Sequence, residues 1–258
     1  MPEWKANKYI HKEALYKGMG PQQRNRIAGT QPVHTLRPHV SIVIPTLNEE
    51  KNIAELMRKL KGELARYSYE IIVVDGHSKD RTVRIAKSMG AKIMYDDYGK
   101  GSALVRGMHA AKGDIIISMD ADLSNKPKEI PLLVTGIESG YDVCLGSRFL
   151  TGGGSEDMPK LRVLGNKAFV HIVNLLYGTR YTDLCYGYRS FSRKALRKLD
   201  LKEKGFGIET EINIKAKKSG LRTLEVPSYE KRRENGEAKL HTIRDGLRIL
   251  RTILKNIG

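Results

Sequence analysis

The sequence predicts an α/β fold with a mainly parallel central sheet. Two observations carry that expectation. From Val40 onward, short runs of β-branched residues alternate with amphipathic stretches of helical period. Three of those runs also end in polar groups, at Pro45-Thr46-Leu47-Asn48-Glu49, at Asp75 and at Asp120-Ala121-Asp122. Strands separated by single helices wind right-handed into parallel units, which brings their carboxyl ends and the following loops to one rim.

Taken in order, Val40 to Ile44 reads as a buried strand, Glu50 to Arg66 as an amphipathic helix and Glu70 to Asp75 as the next strand. Thr82 to Met89 is helical, Ala91 to Tyr95 a short strand, Ser102 to Ala111 a helix, and Asp114 to Met119 the strand that delivers the aspartate pair. Asp142 to Gly146 reads as a further strand, and Thr151-Gly152-Gly153-Gly154-Ser155 as a flexible loop suited to a lid. Helical patterns follow at Leu161 to Tyr177, Arg193 to Leu199 and Ile208 to Lys218, with a late strand at Leu221 to Val226. Residues 1–39 carry scattered Lys and Arg, a Gly18-Met19-Gly20-Pro21 break and little periodicity, the pattern of a basic extension. The expected organisation is that extension, one domain over 40–240 and a terminal helix over 241–258.

The chain has 258 residues with 46 Lys and Arg against 29 Asp and Glu, a formal charge of +17 that asks for an anionic partner. Nucleic acid, anionic lipid and phosphorylated substrates all qualify. A nucleic-acid binder is the reading from a different class. The 7% aromatic content offers no stacking platform, and neither a zinc finger nor a helix-turn-helix signal is present. Cys144 and Cys185 make no disulfide framework and fit a reducing cytosol. The apolar runs Ile71 to Val74 and Ile115 to Ile117 are too short to cross a bilayer, and the polar start Met1-Pro2-Glu3-Trp4-Lys5 lacks a secretory core. A cytoplasmic protein is expected.

Near the end, Ile243, Leu247, Leu250, Leu254 and Ile257 recur at helical spacing beside Arg244, Arg248, Arg251 and Lys255. An apolar stripe bordered by cations is the composition of a helix lying in a lipid headgroup layer. A helix packed on its own domain, on a membrane partner or on a second copy in a homo-oligomer has the same pattern.

Asp120 and Asp122 are two apart, so on a strand they project to the same side. Two hard oxygen ligands at a strand mouth suit Mg²⁺ or Mn²⁺ holding a diphosphate. A solvated turn or helix cap before Asn125-Lys126-Pro127 would use the same residues, so the triplet alone decides neither.

The surrounding motifs fall in a set order. They are Pro45 with Asn48-Glu49; Val74-Asp75 with Ser78, Asp80 and Thr82; Gly99-Lys100-Gly101-Ser102-Ala103; Asp120-Ala121-Asp122; Gly146-Ser147-Arg148; Asp183-Leu184-Cys185-Tyr186-Gly187-Tyr188-Arg189; and Arg233-Glu234-Asn235-Gly236-Glu237-Ala238-Lys239-Leu240. Over about Val40 to Leu240 this set resembles the inverting family 2 glycosyltransferases, which have the Rossmann-like GT-A fold, and within them the dolichol-phosphate mannose synthase-like branch. The chain departs from the family pattern at Leu47, where an aromatic is usual, at Gly76 and His77 in the second loop, and at Ala238, which replaces a serine.

The resemblance implies roles. Pro45, Leu47, Asn48, Glu49, Val74, Asp75 and Ser78 would form the nucleotide site, with Asp75 accepting a hydrogen bond from the base or ribose. Lys100 would face phosphate at a helix start. Asp120, Ala121 and Asp122 would hold the metal and diphosphate, with Ser124 as a further ligand. Arg148, Arg162, Arg189, Arg233 and Lys239 would hold phosphates, for which guanidinium forks are well shaped. Asp183 or Glu211 would be a base toward a hydroxyl acceptor, or else an arginine partner.

The implied reaction moves mannose or glucose from GDP-mannose or UDP-glucose to dolichyl or polyprenyl phosphate, with Mg²⁺ or Mn²⁺, on a peripherally associated enzyme at the cytosolic membrane face. The alternative within the same chemistry is transfer to a soluble or saccharide hydroxyl, which needs a base.

Overall fold

The computed structural model describes residues 38–236 and 241–257. The extension expected over 1–39 therefore lies outside the described residues except for Pro38 and His39, as do Ala238, Lys239 and Leu240.

The chain runs β1 (Val40–Thr46), α1 (Ile53–Leu64), β2 (Tyr69–Asp75), α2 (Thr82–Ser88), β3 (Lys92–Tyr95), α3 (Lys100–Ala110) and β4 (Ile115–Ser118). A 3₁₀ turn (Pro127–Glu129) enters α4 (Ile130–Glu138), followed by β5 (Val143–Ser147), β6 (Gly154–Ser155) and α5 (Lys160–Tyr177). The rest is β7 (Arg189–Ser192), α6 (Arg193–Lys198), α7 (Ile208–Lys218), β8 (Thr223–Pro227), β9 (Tyr229–Glu230) and α8 (Thr242–Lys255).

Seven strands form one sheet in the order β3-β2-β1-β4-β7-β5-β8, parallel except for β7, which runs antiparallel to both its neighbours. The strands are apolar on both faces because both faces are covered. Alternation along β1 sends Ile42 and Ile44 to a core with Leu56, Met57 and Leu60 of α1 and Leu133 of α4. It sends Val43 to the opposite core, with Leu104 and Met108 of α3, Ile208 and Ile212 of α7 and Ile249 of α8. Gly107 lets α3 lie against the sheet, since a Cβ there would collide with Val43 and Val74.

The helix α4, the strand β7 and the short strands β6 and β9 go beyond the sequence expectation. Pro131 interrupts the apolar run that becomes α4, yet proline at the start of a helix removes only an amide that has no intrahelical partner anyway. β7 is four residues long and opens on a fully buried arginine, which hides its strand character. The glycine-rich stretch expected as a flexible loop is tied down at its end, where Gly154 and Ser155 pair in parallel with Tyr229 and Glu230.

Successive strands add outward from β1 to β2 and β3, then the chain crosses back to place β4 on the other side of β1. A crevice opens at the carboxyl ends of the strands at such a reversal. No helix among the described residues is long and apolar enough to cross a membrane.

Candidate active site

Among the described residues three non-glycine residues adopt positive φ, and each follows a strand at this reversal: Asn48 (52°) after β1, His77 (63°) after β2 and Leu123 (67°) after β4. Such backbone is costly for residues with a Cβ and collects at functional sites. The turn after β4 is built by its own polar groups. Asn125 Oδ1 accepts from the Asp120 amide at 2.8 Å, and Asp122 Oδ1 accepts from the Ser124 amide at 3.1 Å.

A cavity of about 550 Å³ opens here, lined on the strand side by Pro45, Leu47, Glu49, Asp120, Ala121 and Asp122, with Lys100, Arg148 and Arg233 around them. Its outer wall comes from α5 and α8, through Leu161, Arg162, Phe169, Thr242 and Ile249. Arg162 Nε donates to Thr242 Oγ1 at 3.3 Å and joins those two helices.

Charge within the site is organised as three cations that each bridge two carboxylates. Lys100 Nζ lies 2.8 Å from Asp120 and 3.0 Å from Glu209. Burial alone would lower the pKa of this ammonium, but the two carboxylates outweigh it and raise the value above the ordinary one. Gly187 makes room for this cluster, since a Cβ there would stand 3.2 Å from both Asp120 Oδ2 and Lys100 Nζ.

Arg233 donates through Nε and NH2 to Asp157 Oδ2 at 2.9 and 2.7 Å, while its NH1 lies 3.5 Å from Asp122 Oδ2. Arg148 forks onto Asp183 at 2.7 and 3.0 Å and reaches Glu230 at 3.1 Å, with its face over the Tyr186 ring. Burial would lower its pKa too, and again the paired carboxylates raise it.

The resemblance to the family had assigned several residues differently. Asp75 is fully buried; its oxygens accept from the Ser78 amide and hydroxyl and from the Thr46 hydroxyl, at 2.6–2.9 Å, so it braces the loop. Ser78 is spent on Asp75 and on the Asn48 amide, Asn48 Oδ1 accepts from the Lys79 amide, and Val74 is in the core. Ser124 is buried and is absent from the cavity lining; its amide donates to Asp122 and its carbonyl accepts from the Lys231 amide.

Asp183 is buried, where it accepts from the Arg148 guanidinium and the Cys185 amide. Arg189 is buried with Tyr186, Leu184 and Glu209 carbonyls and the Asn213 side chain as acceptors, and it holds the 184–188 segment against α7 instead of binding phosphate. Burial lowers its pKa. Glu211 accepts from the Lys202 and Glu203 amides and pairs with Lys215 at 2.9 Å. The carboxylate of α7 that reaches the cavity is Glu209, two residues earlier and so on nearly the opposite side of the helix. Asp157 is a second residue the sequence reading passed over; nothing local to it signals that it meets Arg233.

Asp120 and Asp122 fit a divalent cation. Mg²⁺ is commonly held by one or two carboxylates together with substrate phosphates. The three clusters contain six carboxylates and three cations, a formal excess of three negative charges that would repel a diphosphate unless a cation joined it. Among the described residues no three His, Cys, Asp or Glu side chains gather into a self-sufficient metal site.

Residues 41–200 match the family model of Glycosyl transferase family 2. The chain belongs to that family. A curated relative, the dolichol-phosphate mannosyltransferase of Pyrococcus furiosus, is 35% identical over 226 residues, which is 84% of this chain and 64% of that protein. The chain thus spans under two thirds of that relative's length. The dolichyl-phosphate hexose transferase of Haloferax volcanii is 30% identical over 217 residues, 84% of this chain and 92% of that one. Among solved structures, glucosyl-3-phosphoglycerate synthase of Mycobacterium tuberculosis, in complex with Mn²⁺, UDP and glucosyl-3-phosphoglycerate, superposes with a TM-score of 0.68 at 24% identity, covering 86% of this chain and 80% of that one. The fold of this family 2 member is therefore the GT-A type.

Proposed function

We propose that this family 2 glycosyltransferase moves a hexose, mannose or glucose, from a GDP- or UDP-sugar to the phosphate of a dolichyl or polyprenyl lipid at the cytosolic membrane face. The observation that carries this reading is the course of the cavity, which starts at Asp120 and Asp122 and ends between α5 and α8. The outer faces of those helices expose Leu161, Leu164, Ile243 and Leu247. A phosphate seated near the aspartates would have its lipid tail leave along an apolar path. The names of the Pyrococcus and Haloferax relatives support the same acceptor class.

In the reaction an acceptor phosphate oxygen attacks the anomeric carbon as the bond to the nucleoside diphosphate breaks, inverting the centre. Leu47 offers an apolar lip for the base, and Glu49 lines the cavity beside it. Asp120 and Asp122 would hold Mg²⁺ or Mn²⁺, which when bound supplies Lewis-acid stabilisation of the leaving diphosphate. Arg233 stands beside Asp122 to share that charge, and Arg162 lines the outer cavity where the acceptor phosphate would lie. A phosphate acceptor is already anionic, so no general base is required. The commitment of Asp183 and Glu211 to other partners favours it over a hydroxyl acceptor.

α8 turns Ile249 and Ile253 inward and leaves Ile243, Leu247, Leu254 and Ile257 exposed between Arg244, Arg251 and Lys255, an arrangement that supports docking on an anionic lipid surface. The deciding experiment incubates the protein with Mg²⁺ or Mn²⁺, a polyprenyl phosphate and a panel of nucleotide sugars, and looks for lipid-linked sugar. Transfer should vanish with EDTA and fall by roughly three orders of magnitude in Asp122→Ala. Full activity in that variant rejects the metal assignment, and absence of transfer from every donor rejects the function.

A further inference from the structure

The segment 231–236 crosses the cavity beside Asp122 and is fastened at two points. One is the Arg233 fork on Asp157. The other is a pair of hydrogen bonds to Asn52: Asn235 Nδ2 donates to Asn52 Oδ1 at 3.0 Å, and Asn52 Nδ2 donates to the main-chain carbonyl of Asn235 at 3.3 Å.

Asn52 is buried at the start of α1, and its Nδ2 also donates to Glu49 Oε2 at 2.8 Å. Both of its amide hydrogens and its carbonyl oxygen are therefore in use. An aspartate here would lose both donations and face Glu49; an apolar residue would leave the Asn235 carbonyl without this donor. The side chain thus links the donor loop that ends at Glu49 to the segment that carries Arg233, two stretches far apart in sequence.

We infer that Asn52 and Asn235 are positioning residues that, with Asp157, hold the Arg233 guanidinium against Asp122, so that the donor loop and the segment 231–236 close over a nucleotide sugar as one unit. The inference rests on the proposed transfer only for its kinetic consequence. The latch itself is read from free protein.

The test uses the full chain carrying Asn235→Ala, Asn52→Ala and both together. Without substrates, tryptic cleavage after Lys231, Arg232 and Arg233 should quicken about ten-fold in Asn235→Ala, as expected for losing hydrogen bonds of ordinary net strength. The double variant should cleave no faster than the quicker single one, because the two residues act through one contact. In transfer assays the donor KM should rise while the acceptor KM holds, a split that a general loss of stability would not produce.

Unchanged cleavage in Asn235→Ala, or effects of the two substitutions that multiply, overturns the latch. Asn235 is on a partly exposed segment, so its variant remains decisive even where Asn52→Ala fails to fold. If no donor supports transfer, the proposed function falls, while cleavage rates alone still decide for or against the latch.

Discussion

Replacing Ile243 and Leu247 by serine should detach the protein from membranes while leaving its fold intact. The two side chains are 77% and 64% exposed on the outer face of α8, so neither contributes much to the core. Fully burying an Ile or Leu is worth about 2 kcal/mol. Scaled by those exposures, the pair offers roughly 3 kcal/mol to a lipid surface, which corresponds to about a hundred-fold in partition coefficient.

Co-sedimentation with vesicles separates this apolar contribution from the electrostatic one. The double serine variant should lose about a hundred-fold on neutral and anionic vesicles alike, while Arg251→Gln with Lys255→Gln should lose binding to anionic vesicles only, and only at low salt. Unchanged partitioning of the serine variant would refute the lipid-facing reading. A serine variant that turns a dimer into a monomer, with vesicle binding intact, would assign the stripe to a subunit contact.

Gly187→Ala would place a Cβ 3.2 Å from Asp120 Oδ2 and Lys100 Nζ and 3.4 Å from Glu209 Oε1. The cluster must then shift by a few tenths of an ångström, and kcat should fall roughly ten-fold with little change in melting temperature; an unchanged kcat would show the cluster is not needed in register. Asp183→Asn should leave Arg148 buried with half its charge compensation, costing about 3 kcal/mol and roughly 6–12 °C in Tm for a domain of this size. Lost turnover at unchanged Tm would instead restore Asp183 as a base. Burial pushes the thiols of Cys144 and Cys185 from 9.0 up to about 12, so both stay protonated at neutral pH, and the fully buried Cys144 should react with a thiol reagent only after denaturation. Because the folded values are raised, their contribution to stability is complete below pH 9 and is lost as pH climbs toward 12; fast labelling of Cys144 in the native protein at pH 7.5 would contradict its burial.

The fold was readable because its determinants are local. In a parallel sheet covered on both sides, each strand is a contiguous apolar run and each crossover helix has its own period, so Val40–Thr46 and Ile53–Leu64 announce themselves. β7 was not readable, because an antiparallel strand of four residues beginning with a buried arginine has no pattern of its own. The same limit governs the site. Sequence identifies charged residues that a chemistry needs but not which of them neutralise one another. Arg148 meets Asp183 from 35 residues away, a pairing that neither motif announces. Glu209 and Glu211 have the same chemistry and lie in the same helical turn; only packing decides that the first meets Lys100 and the second caps a loop.

That mutual neutralisation bears on how a chain with a formal charge of +17 comes to have an acidic catalytic crevice. The surplus of cations lies elsewhere, whereas at the rim Lys100, Arg148 and Arg233 are each outnumbered two to one by carboxylates. A nucleoside diphosphate alone would meet a repulsive field there, so the proposed donor would be favoured as its metal complex over the free nucleotide. Arg233 is the cation of the three that stands on a loop segment instead of inside a secondary-structure element or directly after a strand, and it is the one next to Asp122. Its guanidinium lies against that carboxylate and is pinned by Asp157, so in the proposed reaction it would stand beside the diphosphate as charge builds on it. Lys100 and Arg233 therefore orient Asp120 and Asp122 in the free protein, and in the proposed reaction they would stabilise the leaving group as well.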